Sequence, residues 1–257
     1  MTVRIEDSGL VRTVTIDRPE CRNAVDPPTA LALLGAFTAF EADDTLHVAV
    51  LTGAGGTFCA GFDLREVGRD AGQKASGRHD PDGRGPMGPT RLALTKPVIA
   101  AVEGHAVAGG LELALWCDLR VASASAVFGV FCRRWGVPLI DGVTVRLPRV
   151  IGQGRALDMI LTGRGVGADE AMAMGLANRV VAAGGALTAA QALASDIAAF
   201  PQLCLRADRA AALDQWHLPL DHALRAEGRG GQAPLAAEAE AGARRFTKGE
   251  GRGGRFC

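Results

Sequence analysis

The sequence predicts an α/β fold. Three observations lead there. Two short runs rich in β-branched and small apolar residues, Leu46–Thr52 and Val98–Val102, each run into a glycine-bearing loop. Thr29–Glu41 repeats apolar residues at helical spacing, through Leu31, Leu34, Phe37, Ala39 and Phe40. From Leu187 onward the pattern is helical, over 187–199, 202–214, 219–227 and 234–246.

In chain order, Val3–Glu6 and Val11–Asp17 alternate around Asp7-Ser8-Gly9, a hairpin signal. Arg18-Pro19 ends the second strand, and a loop leads to the 29–41 helix. After the 46–52 strand comes the loop Gly53–Asp63, GAGGTFCAGFD. It has neither the Lys-Ser/Thr of a P-loop nor the spacing of a dinucleotide fingerprint. Leu64–Val67 begins a helix, and Gly68–Gly88, without periodicity, reads as a mobile surface segment or lid. Short strands follow at 119–122 and 126–128, and a short helix or turn at Phe131–Trp135 places one buried ring on a solvated face. Helices are expected over 142–150, 154–161 and 168–174, and a strand over 178–181. No internal repeat is evident and no linker divides two cores. The domain expectation is a core over 1–187 and a helical region over 188–257 that belongs to the same functional unit.

The chain is organised around Pro97–Arg120. A buried strand enters a turn, Glu103–Gly110, and an apolar helix starts at Leu111. Gly109 and Gly110 allow close approach to the backbone, because no Cβ intervenes. A helix N-terminus presents unpaired N–H groups, and Glu112 sits in the first turn. N–H donors beside a carboxylate are what a developing oxyanion and a moving proton require. The same features also make a plain strand-to-helix turn. Cys59-Ala60-Gly61 and Ala108-Gly109-Gly110 share one layout, each behind a buried strand. If the loops converge, each donates one N–H to one oxygen.

Composition narrows the function classes. With 257 residues, 48% of them hydrophobic, the chain can bury a large core. Basic and acidic residues balance at 28 each, which argues against nucleic-acid or membrane-surface partners. No apolar run is long enough to span a bilayer, and the N-terminus has no apolar signal core, so a cytoplasmic location is the expectation. Six cysteines and five histidines fall in no metal-ligand spacing, and no metal is expected. His105 reads as structural, and Arg244, Arg245 and Lys248 as a solvated face.

FCAGFDL (58–64) and KPVIAAVEGHAVAGGLELALWCDLRVAS (96–123) resemble the crotonase family, the enoyl-CoA hydratase/isomerase superfamily. RPECRNAV (18–25), the segment 128–152 and LTGR…ADEAMAMGLANRVV (161–181) support the resemblance, which covers about residues 3 to 247. It implies a ββα spiral core with a helical C-terminal trimerisation region, a homotrimer or a dimer of trimers, an acyl-CoA thioester as ligand and no further cofactor. By residue match it implies that Ala60 and Gly109 supply the oxyanion N–H groups. Ala60, Gly61, Phe62 and Asp63 would line the CoA path, with Arg22 and Ala24 near CoA. Glu112 matches the first of two catalytic glutamates. The second falls at Cys132, a poor substitute for a carboxylate, because a thiol of pKa about 8.5 is mostly protonated at neutral pH. Cys132 otherwise reads as a small buried hydrophobe. Asp141 matches a position where some branches keep a working aspartate, and would act as acid, base or nucleophile beside Glu112. As a residue alone it reads equally as an Asx turn or helix cap. The functional expectation is hydration or double-bond isomerisation of an enoyl-CoA through a thioester enolate. The alternatives are a CoA-ester hydrolase or substitution enzyme using Asp141, and a non-catalytic acyl-CoA-binding protein.

Overall fold

Alternation at the N-terminus becomes a hairpin, β1 (Val3–Ser8) and β2 (Val11–Ile16), paired antiparallel from Val3–Ile16 to Ser8–Val11. The structure, a computed structural model, describes residues 2–69 and 80–251. From β2 the sheet continues in parallel through β3 (Val48–Gly53), β4 (Val98–Val102), β6 (Leu119–Ser123) and β9 (Arg179–Val181). A second sheet is built from β5 (His105–Val107), β7 (Val127–Gly129) and β8 (Gly165–Gly167), in the order β5-β7-β8. Strands β3 and β4 are buried along nearly their whole length, as an apolar run in a parallel sheet must be.

A strand of the large sheet, a short strand of the small one and a helix recur as a unit. β4 and β5 lead into α3 (Gly109–Trp116), and β6 and β7 lead, through a 3-10 turn at Phe131–Trp135, to α4 (Val143–Ile151). β3, followed by a bridge between Cys59 and Ala106 of β5, leads to α2 (Leu64–Arg69). This is the expected ββα core. β5 is an element that the sequence reading had absorbed into a turn.

Helix α1 (Pro27–Ala42) shows how local chemistry sets an element. Asp26 caps it by accepting from Thr29 N at 2.9 Å, with Pro27 at the first helical position. Ala30, Leu33, Phe37 and Phe40 form its buried face. At the far end buried Lys96 donates from Nζ to Phe40 O at 2.9 Å and Asp43 O at 2.7 Å, adding a charged donor to carbonyls that already accept from Asp43 N and Leu46 N where the helix ends. Arg120 likewise donates to carbonyls below α3. Its guanidinium reaches the carbonyls of Cys117 (3.0 Å) and Leu176 (2.6 Å), while Asn178 Oδ1 accepts from Arg120 N at 2.9 Å.

α5 (Gln153–Thr162), α6 (Ala168–Ala173) and α7 (Ala186–Ala198) complete the first compact unit, which ends at Ile197. The boundary therefore falls at 197/198 rather than 187/188. Ala190 and Ala194 of α7 are buried, Gln191 donates to Thr13 Oγ1 and Glu103 accepts from Ala186 N, so α7 belongs to the core. The second unit, Ala198–Cys257, holds α8 (Gln202–Asp214) and α9 (Leu220–Gly230). It continues through α10 (Gln232–Pro234) and a π turn over Leu235–Ala239 to α11 (Glu240–Thr247). Among the described residues no helix is long and apolar enough to cross a membrane.

Two expectations change. Of Gly68–Gly88, residues 70–79 lie outside the described ones, but Gly85 and Met87–Thr90 are buried, not a mobile surface. Asp141 pulls this stretch in, accepting from Met87 N at 3.1 Å and from the Thr90 hydroxyl. The ring expected to be buried in Phe131–Trp135 is not: Trp135 is 69% exposed. The left-handed Gly136 that ends the 3-10 turn directly behind it closes the helix before a second turn could cover the indole.

Candidate active site

The two glycine loops converge. Phe58 N donates to Glu103 O at 2.7 Å, Cys59 N to His105 O at 2.9 Å and Val107 N to Cys59 O at 3.1 Å, so the first loop is zipped along β5. Two glycines permit the approach. A Cβ on Gly110 would collide with the Cys59 carbonyl, and one on Gly61 would lie 2.9 Å from Gly109 N. Asn23, left-handed at φ 56° and fully buried, holds the same loop from outside. Its Nδ2 donates to Ala54 O at 2.8 Å and Thr57 O at 2.6 Å, and Oδ1 accepts from Arg18 N. Asn23 was not singled out in the sequence, although the RNAV segment around it was.

Convergence changes one donor. Ala60 N is already committed to Arg22 O at 3.0 Å, so it does not serve as an oxyanion donor. On either side of Phe62, Val25 N donates to Gly61 O and Asp63 N to Val25 O, an isolated parallel bridge. In such a bridge the middle residue's N–H faces away, and Phe62 N has no acceptor among the described residues. In the second loop the first intrahelical bonds run from Leu111 N and Glu112 N to Ala108 O. That leaves the N–H groups of Gly109 and Gly110 as the open donors of α3. On the two docked loops the open N–H groups thus include those of Phe62 and Gly109, and Ala60 is not among them. Alternation along the bridge was the signal, invisible until Val25 was known to be its partner.

Ala108, before the donor, adopts φ 52°. A Cβ is strained there. Its N–H is fixed to Gly129 O at 2.8 Å, which sets the turn that aims Gly109.

Glu112 is on the same face of α3 as Gly109, three residues on. It is 3% exposed, and Oε1 accepts from Asp141 N at 2.8 Å and Val143 N at 3.2 Å. Burial, and then the nearby Asp141 charge, push its carboxyl up to about 7 despite those two N–H groups. A carboxyl that is half-ionised near neutral pH is suited to take and return a proton. Cys132 is buried and close enough that, after burial, the Glu112 charge is the next force raising its thiol. It lies beside Glu112 as a neutral group.

The Asp141 side chain turns the other way. Oδ1 holds Met87 N and the Thr90 hydroxyl, and Arg146 brackets the contact by donating to Asp141 O (2.9 Å) and Thr90 O (2.6 Å). Asp141 therefore reaches Glu112 through its backbone and its charge. Asp63 is likewise committed. Its buried carboxylate takes two bonds from Arg65, at 2.9 and 2.7 Å, with Arg18 at 3.4 Å, and the Arg65 contact holds it down at about 2. Ala24 is buried with its carbonyl on Arg18, and Arg22 is exposed at the start of the loop. Among the described residues no group of three or more His, Cys, Asp or Glu could hold a metal ion.

An open N–H at the start of α3, a second at Phe62 on the loop docked against it, and a buried carboxyl in the first turn of that helix are the parts an acyl-transfer or enolate-forming enzyme on a ββα scaffold would use. Comparison with known proteins gives the family. Residues 6–248 match the family model for enoyl-CoA hydratase/isomerase. Enoyl-CoA hydratase EchA19 of Mycobacterium tuberculosis is 41% identical over 210 residues, 79% of this chain and 77% of that protein. The (E)-benzylidenesuccinyl-CoA hydratase of Thauera aromatica is 38% identical over 227 residues, 87% of each. Among solved structures, an enoyl-CoA hydratase from Mycobacterium tuberculosis H37Rv superposes with a TM-score of 0.89 at 35% identity over 96% of both chains. The chain belongs to the enoyl-CoA hydratase/isomerase family, whose members act on acyl-CoA thioesters, and it is an enzyme of that type.

Proposed function

We propose that this enzyme holds the thioester carbonyl of an enoyl-CoA between the N–H groups of Gly109 and Phe62 and moves protons with Glu112 alone. The observation that carries the reading is the Glu112 carboxyl near 7, three residues from an open donor, with a thiol at Cys132 beside it. Polarised by two N–H groups, the thioester accepts negative charge as an enolate. For hydration, ionised Glu112 takes a proton from water as the oxygen bonds to Cβ. The resulting acid then returns that proton to Cα. For double-bond migration, Glu112 removes a proton from Cα and redelivers it at Cγ. Cys132 favours migration as the second reading, because that reaction needs no second carboxylate to orient water. A hydrolase route through Asp141 is not favoured, since its carboxylate is occupied by Met87 and Thr90.

The test is a panel of 2-enoyl- and 3-enoyl-CoA esters followed by mass and by absorbance of the conjugated thioester. A gain of one water identifies hydration; a shifted double bond at unchanged mass identifies migration. Glu112→Gln should abolish either. Turnover surviving in that variant, or release of free CoA by the wild type, overturns the reading. Assembly through the helical C-terminal unit into trimers or paired trimers belongs to the same proposal, supported by the family resemblance and by exposed apolar side chains on α8 and α9.

A further inference from the structure

Met87 lies where an acyl chain must begin. It is 1% exposed, and a Cβ on Gly109 would stand 2.5 Å from its sulfur and about as close to its Cγ (3.0 Å) and Cε (3.1 Å). Its side chain therefore packs on the side of Gly109 from which a side chain would project. On α3 that side is shared with Glu112, three residues along. A thioester whose oxygen is on Gly109 N and whose Cα or Cβ is within reach of Glu112 must extend past this point. Met87 is also held in register. Asp141 Oδ1 accepts from Met87 N at 3.1 Å, the Thr90 hydroxyl bonds the same oxygen, and Asp141 N bonds Glu112 Oε1 at 2.8 Å. One residue thus fixes both the proton-transfer group and the wall beside it. At Gly85 a Cβ would collide with Asp141 Oδ1 and with the Thr90 hydroxyl, so the turn closes only around glycine.

From this geometry we propose that Met87, pinned by Asp141 against Gly109, is the specificity-determining wall that limits the size of the acyl group. The inference rests on the thioester reading given above. Methionine suits the role: it is unbranched and adaptable, and it fills an apolar gap without adding a reactive group. Removing its outer atoms opens space for one or two methylenes next to the reacting carbons.

The experiment measures binding of a saturated acyl-CoA series from two to twelve carbons by titration calorimetry, for the wild type, Met87→Ala, Met87→Val and Met87→Leu. Saturated esters separate fit from turnover. The expected result is that Met87→Ala raises the affinity ratio of longer over shorter chains by about tenfold, the scale of one or two methylenes in an apolar pocket. Met87→Val shifts it by less, and the volume-conserving Met87→Leu holds it within about twofold. Should the alanine variant not fold, the valine variant carries the test. An unchanged ratio in every variant that folds, while the wild type binds acyl-CoA, overturns the assignment of Met87 and leaves the thioester reading standing. Absence of acyl-CoA binding by the wild type overturns both.

Discussion

Glu112 and Asp141 are two buried carboxylates with opposed duties. Glu112 keeps one oxygen on two backbone N–H groups and is pushed up to about 7, first by burial and then by Asp141. As the proton acceptor it must be ionised, so kcat/KM should rise through pH 7 with a single limb on the acid side. Asp141→Asn keeps an acceptor for Met87 N but removes the like charge, so the Glu112 pKa falls and the limb moves to lower pH. A pH profile of the variant checks this; a limb that stays or moves alkaline sinks the coupling. The same shift has a stability consequence. The folded carboxyl binds its proton more tightly than the unfolded one, so the stability it contributes is present below about pH 4.5 and is lost as pH rises through 7. The full loss is about 3 kcal/mol. Glu112→Gln, neutral at every pH and still an acceptor for the two N–H groups, should melt like the wild type at pH 4.5 and at a higher temperature at pH 8. Melting curves at both pH values decide it.

At the scale of elements, the site depends on how closely two loops dock. Gly110 lies against the carbonyl of Cys59, so Gly110→Ala must push the Cys59–Gly61 loop off α3. Overpacking of this kind costs about 1–3 kcal/mol. A displacement near 1 Å at the donor costs about 100-fold in turnover. Chemical denaturation and kcat should both register it, and a variant that loses stability but keeps kcat would show that the docking does not align the donors. Ala108→Gly acts in the opposite sense. At φ 52° the Ala108 Cβ is strained, and its removal should stabilise the fold by about 1 kcal/mol, read as a raised denaturation midpoint. The docked loops also show where sequence is legible. Each glycine loop could be seen as a possible donor loop behind a buried strand. The N–H that faces the partner could not, because it depends on the Val25–Phe62 bridge, a pairing between residues distant in the chain. Asp141 was open for a similar reason. Its residue type fits an acid, a nucleophile or a cap, and only the positions of Met87 N and Thr90 show that its carboxylate instead ties down a stretch some fifty residues earlier, while α4 starts at Gly142 without a side-chain cap. In the 80–90 stretch, rich in Gly and Pro, no periodicity revealed burial, because its packing comes from one carboxylate rather than from an apolar stripe.

For the whole molecule, the strong signals were the long ones. The hairpin, the two buried strands and the helices α7, α8 and α9 could be placed from period and punctuation, whereas β5, the end of the first unit and the break of the last helical stretch into α10, a π turn and α11 could not. The C-terminal unit leaves a physical question that leads to the last prediction. Leu213, Trp216, Leu220 and Leu224 are all more than half exposed on the stretch from α8 to α9. Single exposed apolar residues are ordinary, but four within twelve positions is a density that favours a partner of like character. Proposed self-association through this unit therefore predicts a mass in solution that is a multiple of three 26.6-kDa chains. Replacing Leu220 and Leu224 together by Asp puts two charges on the start of α9, and burying an unpaired charge in an interface is costly. The double variant should sediment as a smaller species, with the helical content of its circular dichroism retained. Light scattering coupled to gel filtration gives the masses. A wild-type monomer would end the assembly proposal, and an unshifted mass in the double variant would move the interface elsewhere on the chain.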